Sequence, residues 1–510
     1  MSVVTAFQSD LRLRISLQLL LAVFFASEFG VKFAVAQVAD PFVPAPAAPS
    51  AAALRALNPP PVWRGKIPRT KPALEVKSLD LSDSDFRDLW ELADFPNLTD
   101  LYLRKAELQS LAGIEQFKHL RHLVIDETAI EDIGPLRACR ELQSLHMQKC
   151  PVRDLSVLSG LKLTFLDIDN SDAVELPTIE TLGAISFNNT KVADLTPVSM
   201  STNLTMVTGK NSRVSDLSPL SKCTKIDWLD LGSTSVSDIS PAANFRNLKH
   251  LYLEHTPVGS LDPLTKTTKL TDVDISATKV VDLTPLAGHR SLRIFVMNDT
   301  GISDLTPLKN CKGMSLFNCS RTAVSDISVF ANFRSLRLFR FEGKDREKPP
   351  TISLKPLSSC TYLTELQLCK AVVYDTEPLA KCEYLRSLGF EDVPIKNLVP
   401  LAKLQRLVTL RIKNGEVANL TPLESCSQLS TLEIDRIPVT DLSPLLRMKL
   451  LKSLKICNIP VEQPFYKELK AQVAAVYLLG AAQKWDVRGR LPQDADDLTL
   501  PLSNARIPLP

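Results

Sequence analysis

The sequence predicts an α/β solenoid. About 18 short coils stack so that their strands form a parallel, concave β-sheet and their short helical turns line the convex side, with a capping helix closing the carboxyl end. Two patterns predict this: an apolar motif, LxxLxL, recurring nearly every 22 residues, and an Asp-Leu-x-Pro turn that keeps step with it. Composition agrees. The 510 residues are 45% hydrophobic and 23% charged, with only six His, a globular balance with little material for acid–base or metal chemistry. Lys and Arg number 60 against 57 Asp and Glu, so charge gives no case for nucleic acid as a partner.

In chain order, residues 1–36 come first. Arg12 and Arg14 precede a 13-residue, mostly apolar stretch from Ile15 to Ser27, too short to span a bilayer but suited to the core of a signal peptide. Ala34-Val35-Ala36 offers a small-x-small cleavage site before Gln37. Glu28 and Lys32 make the intervening region long and charged, so an uncleaved anchor within 15–36 and a transit peptide remain alternatives. Residues 37–72, with Pro41-Phe42-Val43-Pro44-Ala45-Pro46 and Pro59-Pro60-Pro61, cannot bury a core and read as an extended, disordered spacer.

The repeat occupies 73–462. LxxLxL, with other apolar residues allowed at the Leu places, begins at Val76, Leu98, Leu120, Leu142, Leu163, Leu182, Leu204, Ile226 and Leu248, then at Leu270, Leu292, Met314, Leu336, Leu363, Leu385, Leu407, Leu429 and Leu451. The weakest copy starts at Leu204, where Gly209 takes the last apolar place. One long step carries an insertion, Gly343-Lys-Asp-Arg-Glu-Lys-Pro-Pro350. Each motif reads as a short strand with its leucines inward. A polar turn follows, usually with Thr (Thr128, Thr190, Thr234, Thr256, Thr278, Thr300, Thr322), and then a one-turn helix opened by residues such as Asp216 and Asp282. An Asp there accepts a backbone N–H and starts a tight turn, and the Pro three residues on fixes φ without needing a donor. Ser110, Ser260, Ser353, Asn397 and Asn419 substitute for it elsewhere.

After the last coil, Phe465, Leu469, Val473, Val476 and Tyr477 fall at helical spacing, predicting a capping helix over 463–485 that protects the sheet end. Residues 486–510 read as a flexible tail.

These residues resemble leucine-rich repeats, specifically the 22-residue kind of bacterial internalins, over about residues 74–462. The resemblance implies a binding surface rather than a chemistry. Thr stands where many such repeats have Asn, and after residue 344 even Thr is lost (Ala371, Val393, Gly415, Ile437, Ile459), which predicts differently bonded turns in the last five coils.

Cys139, Cys223, Cys311, Cys360, Cys382 and Cys426 all sit three residues before a strand's first apolar residue, a place filled elsewhere by Phe117, Phe245 and Phe333. That phase makes them inward packing groups, although Cys360 and Cys382, one coil apart, are within reach of a disulfide. No CxxC supports zinc. Six N-x-[ST] sequons begin at Asn97, Asn188, Asn203, Asn298, Asn318 and Asn419.

In each strand the third, fifth and seventh positions point away from the core. On three adjacent coils these read Trp228, His250 and Asp272; then Asp230, Tyr252 and Asp274; then Gly232, Glu254 and Ser276. With rows spaced about 4.8 Å, they predict an aromatic patch bordered by carboxylates, suited to a partner protein with a basic segment. Aromatics that merely shield the sheet are the alternative. A weaker group, Tyr102, Arg104, His122, Asp126 and His146, has two His and a carboxylate but nothing to orient them as metal ligands. Arg411 and Lys413 beside Glu433 and Asp435 read as cross-strand charge pairs.

The sequence has no G-x-S-x-G, P-loop or H-E-x-x-H, and the segments outside the repeat are too small for a catalytic domain. The expectation is a non-enzymatic protein without cofactor, secreted or at the cell surface, that recognises a partner on its concave face. The alternative is a cytoplasmic scaffold similar to a phosphatase-regulatory subunit.

Overall fold

The computed structural model describes residues 62–67 and 72–480. The expectations for residues 1–36, for nearly all of the spacer and for the tail lie outside these residues. The chain divides into two compact units between Lys225 and Ile226. The strands are numbered β1–β19 in chain order. In the first unit β1 (Ser78–Asp80) to β7 (Met206–Thr208) pair consecutively and in parallel. In the second, β8 (Trp228–Asp230) to β19 (Ala475–Leu479) do the same.

The repeat phase accounts for the register. Leu229, Leu251 and Val273 stand opposite one another in β8, β9 (His250–Tyr252) and β10 (Asp272–Asp274), and all three are fully buried. No coil could bury such a row alone, so the core is shared between neighbours.

The turns work as side-chain hydrogen bonds. Each Thr of the polar turn donates its hydroxyl to the carbonyl three residues back: Thr128 to Ile125 at 2.7 Å, Thr256 to Leu253 at 2.6 Å, Thr322 to Cys319 at 2.7 Å. The Asp that recurs in phase accepts the N–H two residues on, as Asp216 does from Ser218 and Asp304 from Thr306, both at 2.8 Å. Asn397, Asn419 and Ser260 make the same bond. A short 3-10 turn follows, with Pro at its start in most coils and the following Leu buried.

The late coils differ as expected. Ala371, Val393, Ile437 and Ile459 fill the Thr place as buried apolar groups, and from β13 (Leu338–Glu342) to β18 (Ser453–Cys457) the strands run five residues instead of three. Where Thr ties the turn back to the strand, pairing stops early; where it is absent, the chain stays extended. The insertion after Phe341 folds back on the next coils, with Thr351 bridging Val372 and Arg346 reaching Asp392 at 2.8 Å.

At the weakest copy the ring of Phe187 from the preceding coil fills the Gly209 place, 2.2 Å from where a Cβ at 209 would be. The capping helix is shorter than predicted. It spans Gln463–Gln472, buries Leu469, and gives way to β19, which pairs with β18 over five residues. Val473-Ala-Ala-Val476-Tyr-Leu478 is a nineteenth LxxLxL, 22 residues after Leu451. The apolar residues at helical spacing also satisfy strand alternation, and pairing to β18 supplies backbone bonds that a longer helix would forgo.

Candidate functional site

The register places Trp228, His250 and Asp272 in one row and Asp230, Tyr252 and Asp274 in the next. The rings pack on one another at a tilt: Trp228 lies 4.4 Å from His250 and 5.4 Å from Tyr252 between centroids. His250 Nδ1 is 2.5 Å from Asp272 Oδ2. Asp230 accepts the Gly232 N–H at 3.2 Å and Asp274 the Ser276 N–H at 2.8 Å. The Glu254 carboxylate occupies the space over Gly232 that a side chain there would take.

The aromatics are not open to solvent as the alternation implies. Trp228 is 1% exposed and Tyr252 5%, because side chains this large, one strand apart, lie on one another and the bare Gly232 lets Glu254 close down beside them. Burial, then the charges of Asp272, Asp230, Asp274 and Glu254, push the Tyr252 hydroxyl far above its ordinary pKa. It therefore stays a neutral donor. The Trp228 indole N–H is buried with no acceptor among the described residues, at a cost of about 1–3 kcal/mol. Solvent reaches His250 and Asp272, which are half-buried.

The weaker group lies in the first unit. His122 is 3.9 Å from Asp100, and His146 stacks on Phe165 at 4.5 Å and lies 3.9 Å from Asp167. Among the described residues no three His, Cys, Asp or Glu are grouped to hold a metal. Burial, followed by the His122 charge, lowers the His146 pKa to about 4. Asp167 is fully buried, and burial together with the charge of Asp169 holds its carboxyl well above the usual range.

The seventh strand positions carry a device the sequence reading missed. Their side chains accept the N–H of the seventh residue one coil on: Asp126 from Gln148, Asp169 from Asn188, Asn188 from Lys210, and in the second unit Asn298 from Ser320. The signal was the Asp and Asn at that place. Asn188, a sequon residue, is thus committed to this ladder, and Asn318, another, is buried in its strand.

Further along, Glu433 gathers three cations: Arg411 at 2.5 Å, Lys413 at 3.4 Å and Lys455 at 3.0 Å. Burial alone would raise its pKa, but Arg411 and the two lysines bring it down to about 2. All ten cysteines are free thiols. Nine are buried, Cys360 and Cys382 among them, with Sγ directed at the carbonyls of Phe330 and Leu357. No described helix is long and apolar enough to cross a membrane.

No family model and no curated protein sequence matches the chain. Solved structures do resemble it. An internalin of Listeria monocytogenes is 22% identical with a TM-score of 0.53, covering 58% of this chain and 87% of that one. A leucine-rich repeat protein of Leptospira interrogans is 14% identical with a TM-score of 0.58, covering 78% and 95%. The ectodomain of the Arabidopsis thaliana receptor kinase GASSHO1/SCHENGEN3, solved with CASPARIAN STRIP INTEGRITY FACTOR 2, is 15% identical with a TM-score of 0.58, covering 79% and 56%. The chain is therefore similar in fold to leucine-rich repeat proteins, with the 22-residue coil of the internalin type.

Proposed function

We propose that this leucine-rich repeat chain is a non-enzymatic, exported or cell-surface protein that binds a partner protein on the concave face of its second unit. The observation that carries the reading is the cluster on β8–β10. There Trp228 of β8 packs on His250 and Tyr252 of β9, and Asp230, Glu254, Asp272 and Asp274 border them. No packing requirement of the core explains that composition at outward positions. The half-buried His250–Asp272 edge is the first point of contact, and the acidic border selects a basic segment. The plant receptor ectodomain solved in complex with another protein factor supports recognition by this fold, not this site.

The test is binding to an array of Lys- and Arg-rich peptides, compared with the His250→Ala/Asp272→Asn double variant. Loss of the wild-type signal in a variant with unchanged circular dichroism supports the site; equal binding moves it elsewhere. Export is checked by mass spectrometry of the mature amino terminus, where a start at Gln37 supports it. The second reading, a cytoplasmic scaffold, is favoured by ten unpaired thiols, and an intact Met1–Ser27 segment in the cytosol would establish it.

A further inference from the structure

The edge of the second unit where the chain leads into its strands carries a charge pattern that neither the core nor the concave cluster uses. Arg290, Arg293, Lys312, Arg334 and Arg337 flank the first inward residues of three consecutive strands, β11 (Ile294–Val296), β12 (Leu316–Asn318) and β13. All five are exposed, and no carboxylate among the described residues pairs with any of them. They fall in two adjacent rows: Arg290, Lys312 and Arg334 on successive coils, and beside them Arg293 and Arg337 on either side of Ser315, whose N–H donates to the Arg293 carbonyl at 2.7 Å and whose carbonyl accepts the Arg337 N–H at 2.8 Å. The Arg293 side chain lies against Gly313 of the next coil. No Asp or Glu stands at the corresponding lead-in positions from Arg246 to Thr364. The acids are drawn to the other end of the strands, where Asp282, Asp304 and Asp326 hold the 3-10 turns. Five like charges gathered on one edge with no paired carboxylate repel one another, and an external anion would offset them.

We propose that this edge binds a linear polyanionic polysaccharide, bearing sulfate or carboxylate groups on successive sugars. Arg290, Lys312 and Arg334 recur about every 4.8 Å, the strand spacing, with Arg293 and Arg337 beside them two coils apart, and the neighbouring lead-in residues are small or hydroxylic: Ser291, Gly313, Ser315 and Ser335. That suits a ribbon of charged, hydroxyl-rich sugars. Single-stranded nucleic acid fits less well, since it needs open aromatic platforms. The band has none; the exposed Tyr362 and Tyr384 on the coils beyond it lie tilted against each other at 5.5 Å, with Arg406 over Tyr384 at 4.3 Å.

The experiment measures binding of the full chain to a heparin oligosaccharide, an oligogalacturonate and oligo-dT over a salt series. Binding to at least one glycan, weakening as salt rises, is expected, and the two glycans distinguish sulfate from carboxylate. Replacing all five cations by Ser, the residue at 291, 315 and 335, should weaken glycan binding by about tenfold or more and flatten the salt dependence. If that variant loses its circular dichroism, Arg334→Glu/Arg337→Glu takes its place. The His250→Ala/Asp272→Asn variant should bind glycan as wild type does. Tighter binding to oligo-dT, no glycan binding at low salt, or unchanged glycan affinity in the variants would each overturn the proposal.

Discussion

Acidification should weaken the first unit through His146, and the size of the effect follows from its surroundings. The imidazole is 9% exposed and stacked on Phe165. Burial, and next the His122 charge, take its pKa from the ordinary 6.5 to about 4. A base whose folded pKa is depressed contributes stability that is complete above pH 6.5. That stability is lost as pH falls from there through the folded value, because the unfolded chain takes up the proton first. The interval corresponds to about 3 kcal/mol at most. Asp167 acts in the opposite direction: its raised pKa means that the folded chain holds a proton the unfolded chain releases, so its contribution is lost as pH rises. The two are separated by substitution. His146→Phe keeps the stack on Phe165 and removes the titration. Urea midpoints at pH 7 and pH 4 should then fall less for the variant than for wild type. With six His in the chain, selective labelling resolves the His146 resonance, whose midpoint should lie near 4. A midpoint at or above 6.5, or equal acid losses in both proteins, would refute the reasoning.

Two further predictions test the coil. Thr256→Val removes the hydroxyl bonded to Leu253 in a turn that is 3% exposed, and thermal unfolding should show a loss of about 1–2 kcal/mol. Gly209→Ala drives a methyl into the Phe187 ring at a cost of about 1–3 kcal/mol. Adding Phe187→Leu should recover part of it, a non-additivity that a double-mutant cycle reads directly.

Repeat phase was legible in the sequence because every inward Leu and every turn Asp does the same work in each coil. The roles of Thr256 and Asp216 could be deduced from one coil and multiplied. The end of the array was not legible. Val473, Val476 and Leu478 fit a helix and a strand equally, and the deciding fact, pairing to β18, is not local. At the candidate site the sequence named the residues that share rows, but alternation alone made Trp228 an exposed anchor. Its burial depends on the bulk of the neighbours one strand away and on Gly232 admitting the Glu254 carboxylate, which alternation does not encode.

The eighth place of the coil shows how stacking overrides local preference. Seventeen residues there, from Asp83 to Asn458, hold φ between 48° and 59° without being Gly, each at a cost on the order of 1 kcal/mol. Lys149, Ala277 and Arg321 have no intrinsic taste for that conformation. They adopt it because N–H groups such as that of His255, bonded to the Ser276 carbonyl at 2.8 Å, fix the turn to the next coil. The turn after β19 has a described coil on one side, and there the place is taken by Gly480, at φ 68°, packed against the Asn458 side chain. Asp83, in the first coil, whose strand β1 pairs with β2, holds φ 52° all the same, its N–H bonded to the Arg104 carbonyl at 2.7 Å, so the bond to the next coil is what offsets the strain.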